Sequence, residues 1–333
     1  MRAFLFGGSG VWTMSESINW QPSATQEMLQ ARACMYAAIR EFFARRAVLE
    51  VDVPMLNRGT VPDLNIDSVP VRLSAVAGQH YLQTSPELFH KRLLAAGSGP
   101  IYQLGHVFRD EPSGRYHQPE FVLLEWYRPG FTLEGLMDEV VALLRHVGLE
   151  RPVQRVTYQQ AFARWVGIED VLHADSSVLR AAASAHGIDL VEDLGEEPLP
   201  WLHLLQAQVL EPALRTEGAV LITAWPAQQA ALARLDPAHP ELALRFELYV
   251  DGIELANGYD ELRDPVEQRA RFSAELARRK REARPVNVDE AFLDALDAGL
   301  PACCGVALGI DRLLMVLTGA QQMRDVVAFA IAD

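Results

Sequence analysis

Apolar residues recur at helical spacing across residues 25–47 (Met28, Met35, Ala38, Ile39, Phe42, Phe43), and Val48-Leu49-Glu50-Val51-Asp52-Val53 then alternates and stops at Pro54. The pattern predicts a long helix feeding a strand. Tyr81-Leu82-Gln83 reads as a short strand, and Thr84-Ser85-Pro86-Glu87 opens a helix that runs to Leu94 and ends at Gly97. Strands are predicted over residues 101–110 and 120–128, joined by a polar loop containing Gly and Pro. Helical periodicity covers residues 133–147, 158–166, 177–186 and 201–215, and residues 219–224 return to strand. Residues 245–250 and 253–256 flank Asp251-Gly252, a favoured two-residue hairpin turn. A charged helix over 263–284 follows, then a strand over 305–308, a break at Gly309 and a helix over 310–317. With no repeat and no linker, the pattern describes one α+β domain from residue 25 to 333. Its antiparallel sheet is surrounded by helices, with a helical insertion at about 131–215 and a flexible N-terminal extension over 1–24.

Composition narrows the function. Half of the 333 residues are hydrophobic, enough for a large core, and the formal net charge of −14 argues against a general nucleic-acid or anionic-membrane binder. Cys34, Cys303 and Cys304 lack metal-ligand spacing and suit a reduced, cytoplasmic protein. The apolar Ala3-Phe4-Leu5-Phe6 has one Arg before it and no small-residue cleavage pattern, so it is not read as a signal peptide, and Met14 is an alternative start. No run is long and apolar enough to suggest a membrane span.

Three segments carry candidate chemistry. Alternation puts Phe121, Leu123, Glu125 and Tyr127 on one strand face and Val122, Leu124 and Trp126 on the other, beside a loop bearing Arg109 and Arg115. The first face can stack a base and bind anionic oxygens; taken alone, it equally suits an amphipathic hairpin with a solvated face. Across Asp251-Gly252, unbroken pairing sets Tyr249 against Glu254 and Glu247 against Ala256, which makes Glu247 and Glu254 diagonal neighbours able to share a cation. Two exposed glutamates on a solvated strand are the alternative. Gly305-Val306-Ala307-Leu308-Gly309-Ile310-Asp311-Arg312 places Arg312 at a sheet margin, where it can stack on a base and grip phosphate, or pair with Asp311. Thr84 followed by Glu87 also fits a capping box.

Together these segments resemble the class II aminoacyl-tRNA synthetases. Residues 39–54 are similar to their first motif, Phe108-Arg109-x-Glu111 through Arg128 to their second, and Gly305 to Arg312 to their third. Phe246-Glu247-Leu248-Tyr249-Val250 and Glu254-Leu255-Ala256-Asn257-Gly258-Tyr259-x-Glu261-Leu262 resemble the lysyl branch. The resemblance implies activation of a carboxylic acid with ATP, Arg109 and Arg312 being the catalytic pair. It implies that Arg109 meets the α-phosphate and substrate carboxylate, and that Glu111, His117 and Gln118 contact the nucleotide. Phe121 and Arg312 would sandwich adenine, Arg312 would reach the γ-phosphate, and Leu255 and Gly309 would complete the ATP site. Glu247 and Glu254 would hold Mg2+. Glu87 would take the substrate's first ammonium, and Tyr127 and Glu261 its far one. Ser85, Glu125, Asn257 and Ala307 would line the same pocket. Gln118 stands where the family usually has Asn, and Tyr259 where it has Phe. Unbroken pairing sets Asn257 against Phe246, on the wrong face for that role, so the resemblance requires a bulge near Gly258.

Only about two dozen residues precede the first motif, too few for an anticodon-binding OB-fold, and the charge is acidic. The chain therefore resembles more closely the free-standing ligases of the lysyl branch, which join lysine or (R)-β-lysine to a lysine side chain of elongation factor P rather than to tRNA. Ser85-Pro86-Glu87, Gly114-Arg115-Tyr116-His117 and Ala307, where lysyl-tRNA synthetases have Gly, carry that likeness. A homodimer through the first motif is implied. An asparagine-synthetase-like ligase and a non-catalytic paralogue are the alternatives, and Arg278-Arg279-Lys280-Arg281 reads as a solvated helix face or a docking patch.

Overall fold

The computed structural model describes residues 20–189 and 194–331; residues 1–19 of the N-terminal extension lie outside the described residues. Among the described residues eleven strands are formed: β1 (Leu49–Glu50), β2 (Leu56–Asn57), β3 (Pro70–Arg72), β4 (Gln79–Leu82), β5 (Ile101–Phe108), β6 (Glu120–Pro129), β7 (Val153–Thr157), β8 (Ala219–Pro226), β9 (Leu242–Val250), β10 (Ile253–Asp260) and β11 (Cys303–Gly309). Eight of them make one sheet in the order β1-β5-β6-β11-β10-β9-β8-β7, and β2-β4-β3 form a small second sheet. Pairing is antiparallel from β5 through β8, as the alternating pattern predicts, and parallel only at the two edges, β1 on β5 and β7 on β8. β7 arises within the span 131–215 read as an insertion, so that span also contributes an edge strand.

Cross-strand register explains which side chains reach the site. On the back face Leu124, Leu308, Ala256, Leu248 and Leu221 stand in one row across five strands, all buried. Helices Gln26–Ala44, Leu133–His146 and Ile310–Thr318 pack over that face with Phe43, Val140, Leu143 and Leu313, and Phe43 stacks on Tyr102 at 4.4 Å. Each such aliphatic side chain contributes about 1.5–3 kcal/mol by leaving water, so the sheet's curvature and position are held from behind. The front face carries a different row, Glu125, Ala307, Asn257 and Glu247, directly opposite one another on β6, β11, β10 and β9.

That front row depends on a bulge. Register along β10 shifts between Glu254 and Ala256, so Leu255 is the extra residue and its side chain is buried in the core. Asn257 consequently pairs with Glu247, not Phe246, and Glu247 does not face Ala256. A bulge is present, as the role implied for Asn257 demands, but it lies at Leu255 rather than near Gly258. At the hairpin tip Asp251 and Gly252 both have positive φ (51° and 75°), as a two-residue turn requires.

The basic run is neither a solvated face nor a patch throughout. Arg279 is 1% exposed on helix Pro265–Arg281 and donates to the carbonyls of Pro62, Asp63 and Ile66 and to Asp67, while Arg284 reaches Leu64 O and Asp67. Two arginines thus hold loop 62–67 over the rim of the front face. The Thr84 capping box is also absent. Helix Glu87–Ala95 begins at Glu87 without a side-chain cap, and it is Ser85 Oγ that accepts from Glu87 N (3.0 Å). Among the described residues no helix is long and apolar enough to cross a membrane.

Candidate active site

Every residue to which the resemblance gives a site role lines one front-face cavity of about 810 Å³, whereas Arg115 does not. At one end, the backbone leaving β5 holds Arg109 by Arg109 N to Pro119 O (2.9 Å), and its guanidinium lies 5.0 Å from the Phe121 ring. Arg109 Nε is buried with no acceptor. Burial lowers its pKa, with Glu111 and Glu254 opposing, so a desolvated cation faces the cavity without a partner for its Nε. Such an orphaned donor is costly, of order 1–3 kcal/mol, unless an anion completes it.

Arg312 enters from the first turn of helix Ile310–Thr318. The alternative pairing with Asp311 is excluded, because Asp311 takes Arg32 and the backbone N–H of Val122 (2.8 Å). Arg312 instead spans the β5–β6 loop and the bulge: Nε donates to Tyr116 O (3.2 Å), Nη1 to Glu254 O (3.0 Å), and Nη2 lies 2.9 Å from His117 Nε2. Burial and Arg312 lower the His117 pKa, which leaves Nε2 free to accept. Gln118 Oε1 accepts from Ile331 N (3.1 Å), and this ties the departure from Asn to the C-terminal segment. Glu111, Leu255 and Gly309 line the same end.

The other end is acidic. Ser85 Oγ donates to Glu125 Oε2 (2.7 Å) and Tyr127 OH to Glu125 Oε1 (2.8 Å). Lys91 Nζ, fully buried one turn after Glu87, lies 2.6 Å from Glu87 Oε1 and 2.6 Å from Glu261 Oε2. Burial, reinforced by Glu87, pushes the Glu125 carboxyl up; burial also raises Glu261, against the pull of Lys91. Two carboxylates therefore pair with one internal ammonium, and a third, Glu125, lies within its field. Gly305 keeps this end open, because a Cβ there would fall 2.3 Å from Glu261 Oε1 and 2.4 Å from the Tyr127 ring.

Between the ends, Glu247 is buried rather than solvated. It is gripped by Arg245 and by the Tyr249 hydroxyl, and Arg245 also donates to Asn257 Oδ1 (3.2 Å). Glu254 Oε2 lies 3.5 Å from Arg312. Burial, with Glu254 nearby, raises the Glu247 pKa to about 7 despite Arg245. Among the described residues no group of three or more His, Cys, Asp or Glu side chains could hold a metal. Two carboxylates suit a hard cation whose remaining ligands are phosphate and water oxygens. Lys91, Arg245 and Gly305 escaped the sequence reading. Lys91 follows Glu87 by four and Arg245 precedes Glu247 by two, same-face spacings that could have flagged both.

An antiparallel sheet with paired arginines at one end of a front-face cavity and carboxylates at the other is the arrangement of a class II adenylate-forming catalytic domain. Consistent with it, residues 12–333 match the sequence model of tRNA synthetases class II (D, K and N), and the chain belongs to that family of ATP-dependent ligases. It is 46% identical over 323 residues to the elongation factor P–(R)-beta-lysine ligase of Photorhabdus laumondii, covering 96% of this chain and 99% of the relative. The proteins of the same name from Salmonella dublin and Salmonella paratyphi B are each 46% identical over 327 residues, with 96% and 99% coverage.

Proposed function

We propose that this enzyme activates (R)-β-lysine, or lysine, with ATP and transfers it to a lysine side chain of elongation factor P. The observation that carries the reading is the cavity's polarity: an incompletely partnered buried arginine beside an aromatic ring at one end, and at the other one ammonium paired with two carboxylates and a third carboxyl nearby. A substrate with one carboxylate and two ammoniums matches both ends. An anionic side chain, as in an asparagine-forming ligase, would face Glu87 and Glu261.

Arg109 holds the substrate carboxylate and the α-phosphate together, and a carboxylate oxygen attacks the α-phosphorus in line. The bond to the bridging oxygen breaks, and acyl-adenylate and pyrophosphate form. The target amine, delivered without its proton, then attacks the activated carbonyl and expels AMP. No protein nucleophile takes part; catalysis comes from positioning and from guanidinium charge aimed at the phosphates. Phe121 and Arg312 stack the adenine, and His117, Glu111 and Gln118 border it. Glu247 and Glu254 would hold Mg2+, which supplies charge neutralisation for the phosphates. Glu87 takes the nearer ammonium and Glu261 with Tyr127 the farther, while Ser85, Glu125, Asn257 and Ala307 shape the space between.

The acidic chain suits a protein acceptor better than tRNA, and three free thiols suit the cytoplasm. Exposed Leu49, Met55 and Leu56 beside the β1 edge support a homodimer through that face. ATP–pyrophosphate exchange with (R)-β-lysine, lysine, aspartate and asparagine, followed by transfer assays on elongation factor P and on tRNA, tests the reading. Exchange with the two lysines and labelling of elongation factor P are expected; exchange with aspartate alone, or labelling of tRNA alone, would overturn it.

A further inference from the structure

Lys91 belongs to no motif that suggested the site, yet it is 1% exposed and its Nζ lies 2.6 Å from a carboxylate oxygen of both Glu87 and Glu261. These two acids come from different elements, the start of helix Glu87–Ala95 and the end of β10, so one ammonium holds together the two walls of the amino-acid pocket. Glu125 and Tyr127 of β6 face the same charge cluster, Cys303 of β11 adjoins it, and the Phe292 ring lies 5.9 Å from Nζ. The neighbouring His90 on its own helix is held neutral by burial, its pKa lowered to about 4.

The charges can be counted. Fully ionised, Glu87, Glu125 and Glu261 supply three negative charges and Lys91 one positive, a net of two negative charges at the largely buried end of the cavity. We infer that Lys91 is a positioning residue that sets the pocket's charge capacity at two ammonium groups and holds Glu87 and Glu261 at the spacing that receives them. The inference rests on the lysine reading above and adds the determinant of substrate charge. Without a ligand the count is met by protons: burial raises Glu125 and Glu261 to about 8, so at neutral pH both hold protons that an incoming dication displaces.

Lys91→Met keeps the length and removes the charge. The acid limb of kcat/KM for lysine-dependent ATP–pyrophosphate exchange should move up by about one pH unit or more, carried by KM rather than kcat, with activity recovering toward pH 9. A Lys91 that served only stability would lower the melting temperature and the active fraction at every pH; an unmoved acid limb would overturn the inference. Calorimetry on the unmutated enzyme is independent of whether the variant folds. At pH 7, lysine binding should release about two protons, and 6-hydroxynorleucine, which lacks the far ammonium, about one. Equal release by the two ligands would overturn the inference while leaving the lysine reading standing, whereas binding of neither would remove both.

Discussion

At the Arg109 end of the cavity two guanidiniums stand beside Phe121 and His117, and a buried Nε lacks an acceptor; at the Lys91 end two carboxylates pair with a single ammonium and the Glu125 carboxyl lies in the same field. The anionic end carries more carboxyl groups than its one ammonium can pair, whereas at the cationic end a buried guanidinium N–H goes without an acceptor. They are also built differently. The cationic end is made of a loop and a helix start, cross-linked by Arg312, whereas the anionic end is set into regular β6 and β11 and closed by a helix. The difference teaches how one sheet face can bind a polyanion and a dication side by side: the opposing charges are segregated, and each ligand supplies what its end lacks.

The largest break in this comparison is Arg109→Ala. Removing the cation should reduce amino-acid-dependent ATP–pyrophosphate exchange about 10³-fold, the scale of losing one preorganised charge donor. Because Arg109 is desolvated and its Nε has no acceptor, the variant should melt no earlier than the parent. Exchange retained at parental rates would remove the assignment of the cationic end.

Gly305→Ala acts on the other end alone. Its Cβ would overlap Glu261 Oε1 and the Tyr127 ring, both immobile, and displace the ammonium site by an ångström or so. kcat/KM for the amino acid should fall about a hundredfold while ATP binding, measured separately, stays unchanged. A matching loss of ATP affinity would show that the two ends are not independent.

pH separates them without mutation. Glu125 and Glu261 are raised to about 8 in the empty pocket, so they hold protons below that pH and must lose them to receive ammoniums. The amino-acid KM should therefore rise as pH falls from 8 to 6, approaching about a hundredfold per unit once both carboxyls are protonated. Arginine does not titrate in this range, and the KM for ATP should stay nearly flat. Parallel pH dependence of the two constants would contradict the segregation of charge.

How far this site is legible in sequence follows from where the backbone is regular. Along β6 strict alternation assigns Phe121, Leu123, Glu125 and Tyr127 to the cavity and Val122, Leu124 and Trp126 to the core; the first four line the cavity and the last three lie in the core, with Val122 bordering the cavity as well. Along β10 the same rule fails after Glu254, because alternation cannot see an inserted residue; Leu255 turns inward and every later parity reverses. The case of Arg279 has a different cause, since a run of four basic residues hides the one whose acceptors are the Pro62, Asp63 and Ile66 carbonyls and the Asp67 carboxylate, 212 to 217 positions away. β7, with Gln154 and Arg155 in its middle, is short and carries little periodic signal, whereas in the nine-residue helix Glu290–Ala298 the signal is there, in Phe292, Leu293 and Leu296, but over barely two turns.

The finest test lies on the boundary between the two ends. Ala307 stands directly between Glu125 on β6 and Asn257 on β10, in the front row that the bulge completes, so it lines the cavity between its cationic and anionic ends. An amine on the β carbon is displaced from the Ala307 methyl relative to one on the α carbon. A methyl group discriminates by about 1–3 kcal/mol, so the enzyme should prefer (R)-β-lysine to lysine by roughly 10- to 200-fold. Ala307→Gly should narrow the ratio of the two kcat/KM values about tenfold, by improving lysine and leaving (R)-β-lysine nearly unchanged. If the ratio is the same in both proteins, the choice of amine position is made by the carboxylates around Lys91, and the row through Ala307 serves only to shape the cavity.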